Sequence, residues 1–273
     1  MPAGCEFKPG VKYFCLFLFF LMAINEHIYS QERSEYFSHQ GKKIYYEVHG
    51  KGEPLLLLHG YTQSLKSWLP FLKEFSENFQ VFLIDLPGHG MSDSFTEELS
   101  IPSIANALHA FLENQKLKNV KAIGFSFGGD ILFQLAVRYP QDLASMIIIG
   151  ACGSWNANDF PKWMDLLSYK NIDNLPWMRE QHRDEMQIKA IFDQLKNYKI
   201  YVSEEELKKI EIPVMLVYGD QEDSVTWECI MKAKENMSDT RLWVLPDSPH
   251  RAHTGKNQEQ FLKESITFLI NVK

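Results

Sequence analysis

Short, continuous runs of apolar residues recur along the chain from about residue 42, and longer segments of helical periodicity separate them. Such runs fit strands that are covered on both faces, because these strands have no solvent-facing side. Strands that alternate with helices indicate βαβ units. The sequence therefore predicts an α/β fold, with a mostly parallel sheet and helices on both of its faces. The predicted strands are 44–48, 55–58, 81–86, 120–124, 146–149, 213–218 and 242–245, and the predicted helices are 65–79, 101–115, 127–139, 226–237 and 257–270.

One segment, 154–211, breaks this alternation. It contains many aromatic and amphipathic residues but no run that indicates a strand. A structureless loop of this length is unusual inside a compact domain. We therefore predict a small helical cap over the sheet, inserted before the penultimate strand, on a core formed by residues 31–153 and 212–273. Ligands of open parallel sheets bind at the carboxyl ends of the strands, so the site is expected at that edge.

The first thirty residues have the features of a secretory signal. Lys8 and Lys12 precede an unbroken apolar run from Tyr13 to Ile24. That run is shorter than the roughly 20 apolar residues that a membrane-spanning helix needs. We predict a signal peptide over residues 1–30, cleavage after Ser30, and export to the periplasm or the medium without stable membrane insertion. An uncleaved membrane anchor is the alternative.

Charge and cysteine content limit the partners and the chemistry. The 273 residues carry a net charge of −7 and no long block of like charge. This argues against nucleic acids and anionic membranes, because both are bound by clustered Lys and Arg. Cys152 and Cys229 remain once a signal is removed, and we expect two buried free thiols, although the sequence does not say whether they meet. Nothing in the sequence indicates an oligomeric state.

The pentapeptide Gly124-Phe125-Ser126-Phe127-Gly128 lies between a predicted strand and a predicted helix. A Gly-x-Ser-x-Gly pattern in this position is typical of a nucleophile elbow, a strained turn that raises the serine hydroxyl above the end of the sheet. The glycines let the neighbouring backbone approach the turn. Ser126 is therefore the predicted nucleophile, and the alternative is a structural turn with an inert serine.

The segment His59-Gly60-Tyr61 follows the strand of four leucines. In serine hydrolases the turn after this strand supplies one backbone N–H of the oxyanion hole, and the residue after the nucleophile supplies the other. Tyr61 and Phe127 are therefore the predicted oxyanion donors. His59 is expected to brace this turn.

The general base is expected in the segment Pro246-Asp247-Ser248-Pro249-His250, which follows the last strand. A histidine has an ordinary pKa near 6.5 and can take the serine proton and return it to a leaving group. We assign this role to His250, with His253 as the rival. The His-x-x-His spacing also suggests a metal, but no further cluster of ligands supports zinc.

The acid is expected after the strand 213–218, where Gly219-Asp220-Gln221-Glu222-Asp223 offers three carboxylates. Only one of them can orient the histidine and hold its tautomer. We predict Asp223, because aspartate is the commoner partner and the following residues begin a helix. Glu222 is the alternative. The order serine, acid, histidine along the chain agrees with this assignment.

Together these motifs resemble the α/β-hydrolase superfamily from roughly residue 42 to the C-terminus. The segments that carry the resemblance are His59-Gly60, Asp85 to Asp93, Gly124 to Gly129, the carboxylate loop 219–223, and Pro246 to His250. Pro249 is a departure, because relatives usually have glycine before the histidine. The resemblance implies a hydrolase with a helical cap, no cofactor, and a covalent acyl-enzyme intermediate.

The substrate is a small molecule whose identity the sequence constrains only loosely. A serine at the elbow excludes the subfamilies that attack with aspartate, such as epoxide hydrolases, and indicates acyl transfer. Phe125 and cap residues such as Trp155 predict a fairly apolar pocket for a small or medium ester, unless they only pack the cap against the sheet. A carbon–carbon bond hydrolase, thioesterase, lactonase or perhydrolase would have the same triad. A catalytically silent binding protein is a further alternative.

Overall fold

The apolar runs form the strands of a central sheet. The computed structural model describes residues 33–272, and within this part of the chain the main sheet has eight strands and a second sheet has two. In chain order the strands are β1 (Arg33–His39), β2 (Lys42–His49), β3 (Pro54–Leu58), β4 (Gln80–Ile84), β5 (Val120–Phe125), β6 (Leu143–Ile149), β7 (Ser154–Asn156), β8 (Lys199–Tyr201), β9 (Val214–Gly219) and β10 (Thr240–Leu245).

The strand order across the main sheet is β1-β2-β4-β3-β5-β6-β9-β10. β1 pairs antiparallel with β2, and β2 pairs antiparallel with β4. The remaining neighbours are parallel, which confirms the predicted mostly parallel sheet. Because β3 and β5 are adjacent and parallel, the turns that follow them leave the same edge of the sheet. These turns contain Gly60 and Ser126.

The four leucines of β3 show why this strand has no polar face. Leu56 and Leu58 pack in the core on one side of the sheet, and Leu55 and Leu57 pack in the core on the other side. Helices α2, α3 and α8 contribute to the first core, and α1 and α9 contribute to the second. The described helices are α1 (Leu69–Ser76), α2 (Ile101–Asn114), α3 (Phe127–Arg138), α4 (Pro161–Leu166), α5 (Trp177–Gln181), α6 (Glu185–Gln194), α7 (Glu204–Leu207), α8 (Trp227–Asn236) and α9 (Gln258–Asn271).

Side-chain caps fix where several of these helices begin. The hydroxyl of Ser100 accepts a hydrogen bond from a backbone N–H in the first turn of α2, and Thr226 does the same for α8. Asp184 caps α6 in this way. Each cap satisfies one of the N–H groups that a helix leaves without an internal partner. The capping positions therefore agree with the predicted helix starts near residues 101 and 226.

The segment between β6 and β9 forms the predicted cap from short helices, α4 to α7, but it also contains a strand pair. β7 and β8 pair antiparallel, with Trp155 opposite Ile200. The expectation that this segment has no strand was wrong. Each of these strands has three residues, which is too short to give an alternating pattern. The pair brings the two ends of the cap together beside the core.

A disulfide joins Cys152 and Cys229, with their Cα atoms 5.8 Å apart. The expectation of two free thiols was therefore wrong. The two residues are 77 positions apart in the sequence. They meet because Cys152 follows β6 and Cys229 lies in the first turn of α8, and both places are near the same edge of the parallel sheet. The disulfide ties the start of the cap to the helix that follows the carboxylate loop.

The predicted signal peptide, residues 1–30, lies outside the described residues. Between residues 33 and 272 no helix has the length and apolar character that are needed to cross a membrane. The described residues belong to one compact unit.

Candidate active site

Ser126 lies on a strained turn between β5 and α3, at the carboxyl edge of the sheet. Its backbone has φ of 51° and ψ of −113°, a conformation that residues with a Cβ atom rarely adopt. The turn is possible because glycines surround it. A Cβ atom on Gly124 would lie 2.5 Å from the carbonyl oxygen of Gly128, and one on Gly128 would lie 2.5 Å from that of Leu58. This is the geometry that a nucleophile elbow requires.

Two backbone N–H groups near this turn are available to a ligand. Phe127 is the first residue of α3, so its N–H has no acceptor within the helix. The N–H of Tyr61 likewise has no protein acceptor among the described residues. The rings of these two residues pack edge to face with their centroids 5.2 Å apart. The structure thus places both predicted oxyanion donors on neighbouring turns.

His250 reaches the same cavity as Ser126 from the loop after β10. Its Nδ1 atom lies 2.9 Å from each carboxylate oxygen of Glu222. This contact leaves Nε2 free for a reacting group. No hydrogen bond joins the hydroxyl of Ser126 to the imidazole in the described structure. Catalytic hydrogen bonds commonly tighten only when a substrate binds.

The three carboxylates of the loop after β9 have three different positions. Asp220 accepts a hydrogen bond from the backbone N–H of Ser248 and so holds the histidine loop. Glu222 is buried against His250. Asp223 is exposed at the cavity wall, and its described contact is a long hydrogen bond of 3.5 Å from the hydroxyl of Ser224. The prediction that Asp223 orients the histidine is therefore corrected to Glu222.

The reason for this correction is the path of the loop. The N–H of Glu222 donates to the carbonyl of Gly219, and this turn directs the glutamate side chain inward. Its Oε1 atom also accepts a hydrogen bond of 2.8 Å from the N–H of Ser224. Helix α8 begins after its cap at Thr226, as predicted, so the helix start does not distinguish Glu222 from Asp223.

His253, the rival base, points away from the cavity. Its ring packs among Trp68, Phe71 and Phe261, and it is almost completely buried. Its Nδ1 atom has no hydrogen-bond partner within the described chain. Burial lowers the pKa of His253 to about 3. A neutral histidine inside an aromatic cluster cannot reach the hydroxyl of Ser126.

His59 braces the turn that carries the Tyr61 N–H. Its Nε2 atom accepts a hydrogen bond from the backbone N–H of Leu86, so Nδ1 carries the proton and donates it to the carbonyl of Gly60. Burial lowers the pKa of His59 to about 3. The neutral ring therefore has a structural role, as the sequence predicted.

Hydrogen bonds from the cap hold the same turn from above. The Nδ1 atom of His182 accepts from the N–H of Gly90, and its Nε2 donates to the carbonyl of Thr62. The hydroxyl of Tyr61 donates to the carbonyl of Ile191 in α6. These bonds connect the cap to the residues beside the predicted oxyanion hole, so the cap and this part of the site are positioned together.

A cavity of about 420 Å³ lies between the cap and the carboxyl edge of the sheet. Both predicted substrate contacts, Phe125 and Trp155, belong to its wall. The indole N–H of Trp155 donates to the carbonyl of Ser224, which fixes the ring beside the carboxylate loop. The other lining residues are Tyr61, Thr62, Gln63, Ser126, Asp130, Gly150, Trp163, Leu166, Leu167, Trp177, Leu195, Tyr198, Asp223, Ser224, Val225, Pro249, His250 and Arg251.

Asp130 and Tyr198 are cavity residues that the sequence analysis missed. The hydroxyl of Tyr198 donates to Oδ2 of Asp130 over 2.7 Å, and the N–H of Gly153 donates to Oδ1 over 3.1 Å. Burial raises the pKa of Asp130 to about 7, while these two hydrogen bonds act in the opposite direction. One signal was present in the sequence: a single carboxylate among the apolar residues that open α3.

Residues 33–272 contain no group of three or more His, Cys, Asp and Glu side chains that could hold a metal ion. The His-x-x-His pair does not form such a group, because His250 faces the cavity and His253 faces the aromatic cluster.

The buried neutral histidines predict a loss of stability in acid. In the unfolded chain a histidine binds a proton below about pH 6.5, whereas the folded state keeps His253 neutral down to about pH 3. The unfolded state thus binds more protons in this window, so the free energy of unfolding falls as the pH falls. Burial also lowers the pKa values of His59, His89 and His182, so these histidines likewise reduce the free energy of unfolding as the pH falls. The raised pKa values of Asp85 and Asp130 act in the opposite direction, because these carboxyl groups bind protons more readily in the folded state.

We expect the His253→Phe variant to lose less stability than the wild type between pH 7 and pH 5, by about 2 kcal/mol. Phenylalanine fits an aromatic cluster and removes one titrating group. Urea unfolding at both pH values measures the difference, and His39→Gln, at a histidine outside this cluster, is the control. An unchanged pH dependence in the His253→Phe variant would contradict a neutral buried ring.

Comparison with known proteins agrees with the fold. A family model described as alpha/beta hydrolase fold matches residues 53–181, which include the elbow and the turn after β3. The chain has the α/β-hydrolase fold. It is similar to the monoacylglycerol lipase ABHD6 of Mus musculus, with 23% identity over 255 residues that cover 79% of this chain and 76% of the relative. Other curated relatives are matched over less of their length, 33% in one case and 39% in another.

Solved structures agree with the fold. The enol-lactonase from Burkholderia xenovorans LB400 has a TM-score of 0.75 at 16% identity, with 87% of this chain and 100% of that chain covered. The esterase RhEst1 from Rhodococcus sp. ECU1013 has a TM-score of 0.70 at 20% identity, with 89% of this chain and 99% of that chain covered. At these identities the structural likeness establishes the fold of the chain. Together with the family match and the lipase relative, it supports an enzyme of the hydrolase class.

Proposed function

We propose that this α/β-hydrolase is a serine hydrolase that cleaves a carboxylic ester of a small or medium, fairly apolar substrate through an acyl-enzyme intermediate. The observation that supports this most directly is the arrangement around one cavity. Ser126 lies on the strained elbow, and His250 lies on the opposite loop with its Nδ1 atom against Glu222.

The proposed first step is attack by Ser126 on the ester carbonyl carbon. Glu222 accepts the Nδ1 proton of His250, which holds the ring in the tautomer with an unprotonated Nε2 atom. Nε2 removes the proton of the serine hydroxyl while its oxygen forms a bond to the carbonyl carbon. The resulting imidazolium lies beside a buried carboxylate, which stabilises its positive charge.

The N–H groups of Tyr61 and Phe127 are the proposed donors to the oxyanion that forms in this step. Donors that are fixed before the reaction stabilise the developing charge without reorganisation, and one such donor contributes roughly 3 to 4 kcal/mol. When the tetrahedral intermediate collapses, the alcohol leaves with the proton from Nε2 of His250. Water, activated by the same histidine, then hydrolyses the acyl-enzyme and regenerates Ser126.

The size and lining of the cavity support the proposed substrate class. A volume of about 420 Å³ is in the lower part of the range for small-molecule pockets. The cap contributes Trp155, Trp163 and Trp177, so much of a bound acyl or alkyl chain would contact aromatic carbon. The similar proteins include a monoacylglycerol lipase and an esterase by name, and both act on ester bonds.

Labelling with a fluorophosphonate probe tests the proposal. An activated serine forms a stable phosphonyl ester with such a probe, whereas an ordinary surface serine does not. We expect the probe to modify the peptide that contains Ser126, and we expect the protein to hydrolyse short-chain and medium-chain alkyl esters. Peptide mass spectrometry and a pH-stat measure the two results. A well-folded sample that is neither labelled nor active on esters would reject the proposed function.

We also propose that the enzyme is exported, with cleavage of the signal after Ser30. The disulfide between Cys152 and Cys229 supports this, because disulfides persist in oxidising compartments and are rare in the cytosol. The mature protein recovered from its native host is expected to begin at Gln31. Intact-mass measurement distinguishes this product from a chain that retains Met1, which would favour the membrane anchor.

A further inference from the structure

Asp130 is a buried carboxylate in the wall of the candidate active site. It is 3% exposed, and it lies in the first turn of α3. Its backbone N–H donates to the carbonyl oxygen of Ser126 over 3.0 Å, so the two residues are one helical turn apart. Four residues of helix correspond to a rise of about 6 Å. Side chains in a helix lean toward its N-terminus, which directs the carboxylate of Asp130 toward the elbow.

The hydrogen bonds of Asp130 do not use all of its capacity. An ionised carboxylate accepts at about four lone-pair positions. The described bonds fill two of them, one from the hydroxyl of Tyr198 and one from the N–H of Gly153. Tyr198 also lines the cavity, and its oxygen retains lone pairs after its proton is donated to Asp130. The pair is thus a group of hydrogen-bond acceptors that a ligand can use.

The surroundings of this pair are aromatic. The ring of Tyr198 lies 4.4 Å from that of Trp155 and 5.0 Å from that of Phe127, measured between centroids. Burial is the main reason for the raised pKa of Asp130, and the nearby charge of His250 acts weakly against it. A carboxylate that has lost its water in this way gains from any additional donor.

We propose that Asp130 and Tyr198 form a specificity subsite that binds a hydroxyl group of the substrate, on the acyl or the alcohol part, about one helical turn along α3 from the nucleophile. The inference rests on the proposed esterase function and names its substrate class, a hydroxylated ester. A hydroxyl group donates one hydrogen bond, so a single acceptor atom of this pair is enough to bind it.

Two matched pairs of esters test the subsite. Ethyl 6-hydroxyhexanoate is compared with ethyl hexanoate, and 4-hydroxybutyl acetate is compared with butyl acetate. For each ester kcat/KM is measured in a pH-stat at pH 8, above the pKa of about 7 of Asp130, so that its carboxylate is mostly ionised. The readout is the ratio of the hydroxylated to the plain ester within each pair, which cancels general losses of activity. We expect this ratio to fall about tenfold or more in Asp130→Asn and Asp130→Ala for one pair, since a hydrogen bond to a charged acceptor contributes that much.

A buried aspartate elsewhere in the core provides the matched control. Asp142 is also buried, and it accepts a hydrogen bond from His109 at a site outside the cavity wall. The ratios of Asp142→Asn are expected to equal those of the wild type. If Asp130→Ala does not fold, Asp130→Val, which fills a similar volume and has no hydrogen-bond acceptor, decides the question.

The possible outcomes separate the two proposals. Hydrolysis of all four esters with the same ratios in the wild type and the Asp130 variants would overturn the subsite and leave the esterase function intact. If the Asp130 variants lose thermal stability but keep the wild-type ratios of kcat/KM, the role of Asp130 is to hold the backbone at Gly153. That result would also overturn the subsite. A wild-type protein that hydrolyses none of the esters would reject the proposed function and the subsite with it.

Discussion

Replacement of Ser126 by alanine is expected to lower ester hydrolysis about 10⁶-fold, to the level that remains when the nucleophile of a serine hydrolase is removed. Without the hydroxyl, no acyl-enzyme can form, and His250 has no proton to accept from the protein. Turnover of ethyl hexanoate in a pH-stat, together with loss of fluorophosphonate labelling, measures the effect. Equal turnover in the alanine variant and the wild type would reject Ser126 as the nucleophile.

The backbone of Ser126 supplies a control for folding. Its φ of 51° strains any residue with a Cβ atom. Alanine keeps that atom and is expected to leave the free energy of unfolding nearly unchanged. Glycine removes it, so Ser126→Gly is expected to be equally inactive but about 1 kcal/mol more stable, after the entropic cost of glycine is subtracted. Urea unfolding of both variants separates a lost nucleophile from a lost fold.

The fold was largely predictable because buried strands and amphipathic helices have strong local patterns. β3 and β5 are buried on both faces, and their apolar runs mark them in the sequence. β1 was missed because most of its residues are exposed and give no apolar run. A turn signal was nevertheless present. Gln40 and Gly41 both have positive φ and join β1 to β2 as a two-residue hairpin loop, for which Gly41 is a typical residue.

The candidate site was predictable where a motif specifies the backbone, and less so where tertiary packing selects among equivalent side chains. The elbow at Ser126 follows from local sequence, because glycines at fixed positions permit the turn. His250 and His253 differ only in the direction in which one loop points them, and no local pattern encodes that direction. The disulfide depends on the meeting of Cys152 and Cys229 across the fold, which their spacing does not reveal.

Replacement of Glu222 is expected to lower kcat far more than replacement of its neighbour Asp223. Glu222→Gln is expected to reduce kcat about 10⁴-fold, the usual consequence of losing the acid that orients the histidine. Asp223→Asn is expected to reduce kcat by less than about tenfold, because its exposed carboxylate has no contact with His250 among the described residues. The two variants remove one negative charge each and lie next to each other in the sequence. Their comparison therefore controls for the general electrostatic effect of losing a carboxylate from this loop.

The tautomer of His250 explains why the amide at position 222 is so damaging. Oε1 of Glu222 accepts from the N–H of Ser224, and the carboxylate contacts Nδ1 of His250 at the same time. In Glu222→Gln the amide oxygen can keep the bond to Ser224, and the amide NH₂ then faces Nδ1. An NH₂ group donates, so Nδ1 must accept and the ring proton moves to Nε2. A protonated Nε2 cannot remove the proton of Ser126. The Glu222→Gln variant should therefore keep the wild-type free energy of unfolding while it loses activity. A larger loss of kcat in Asp223→Asn than in Glu222→Gln would show that the acid had been assigned to the wrong carboxylate.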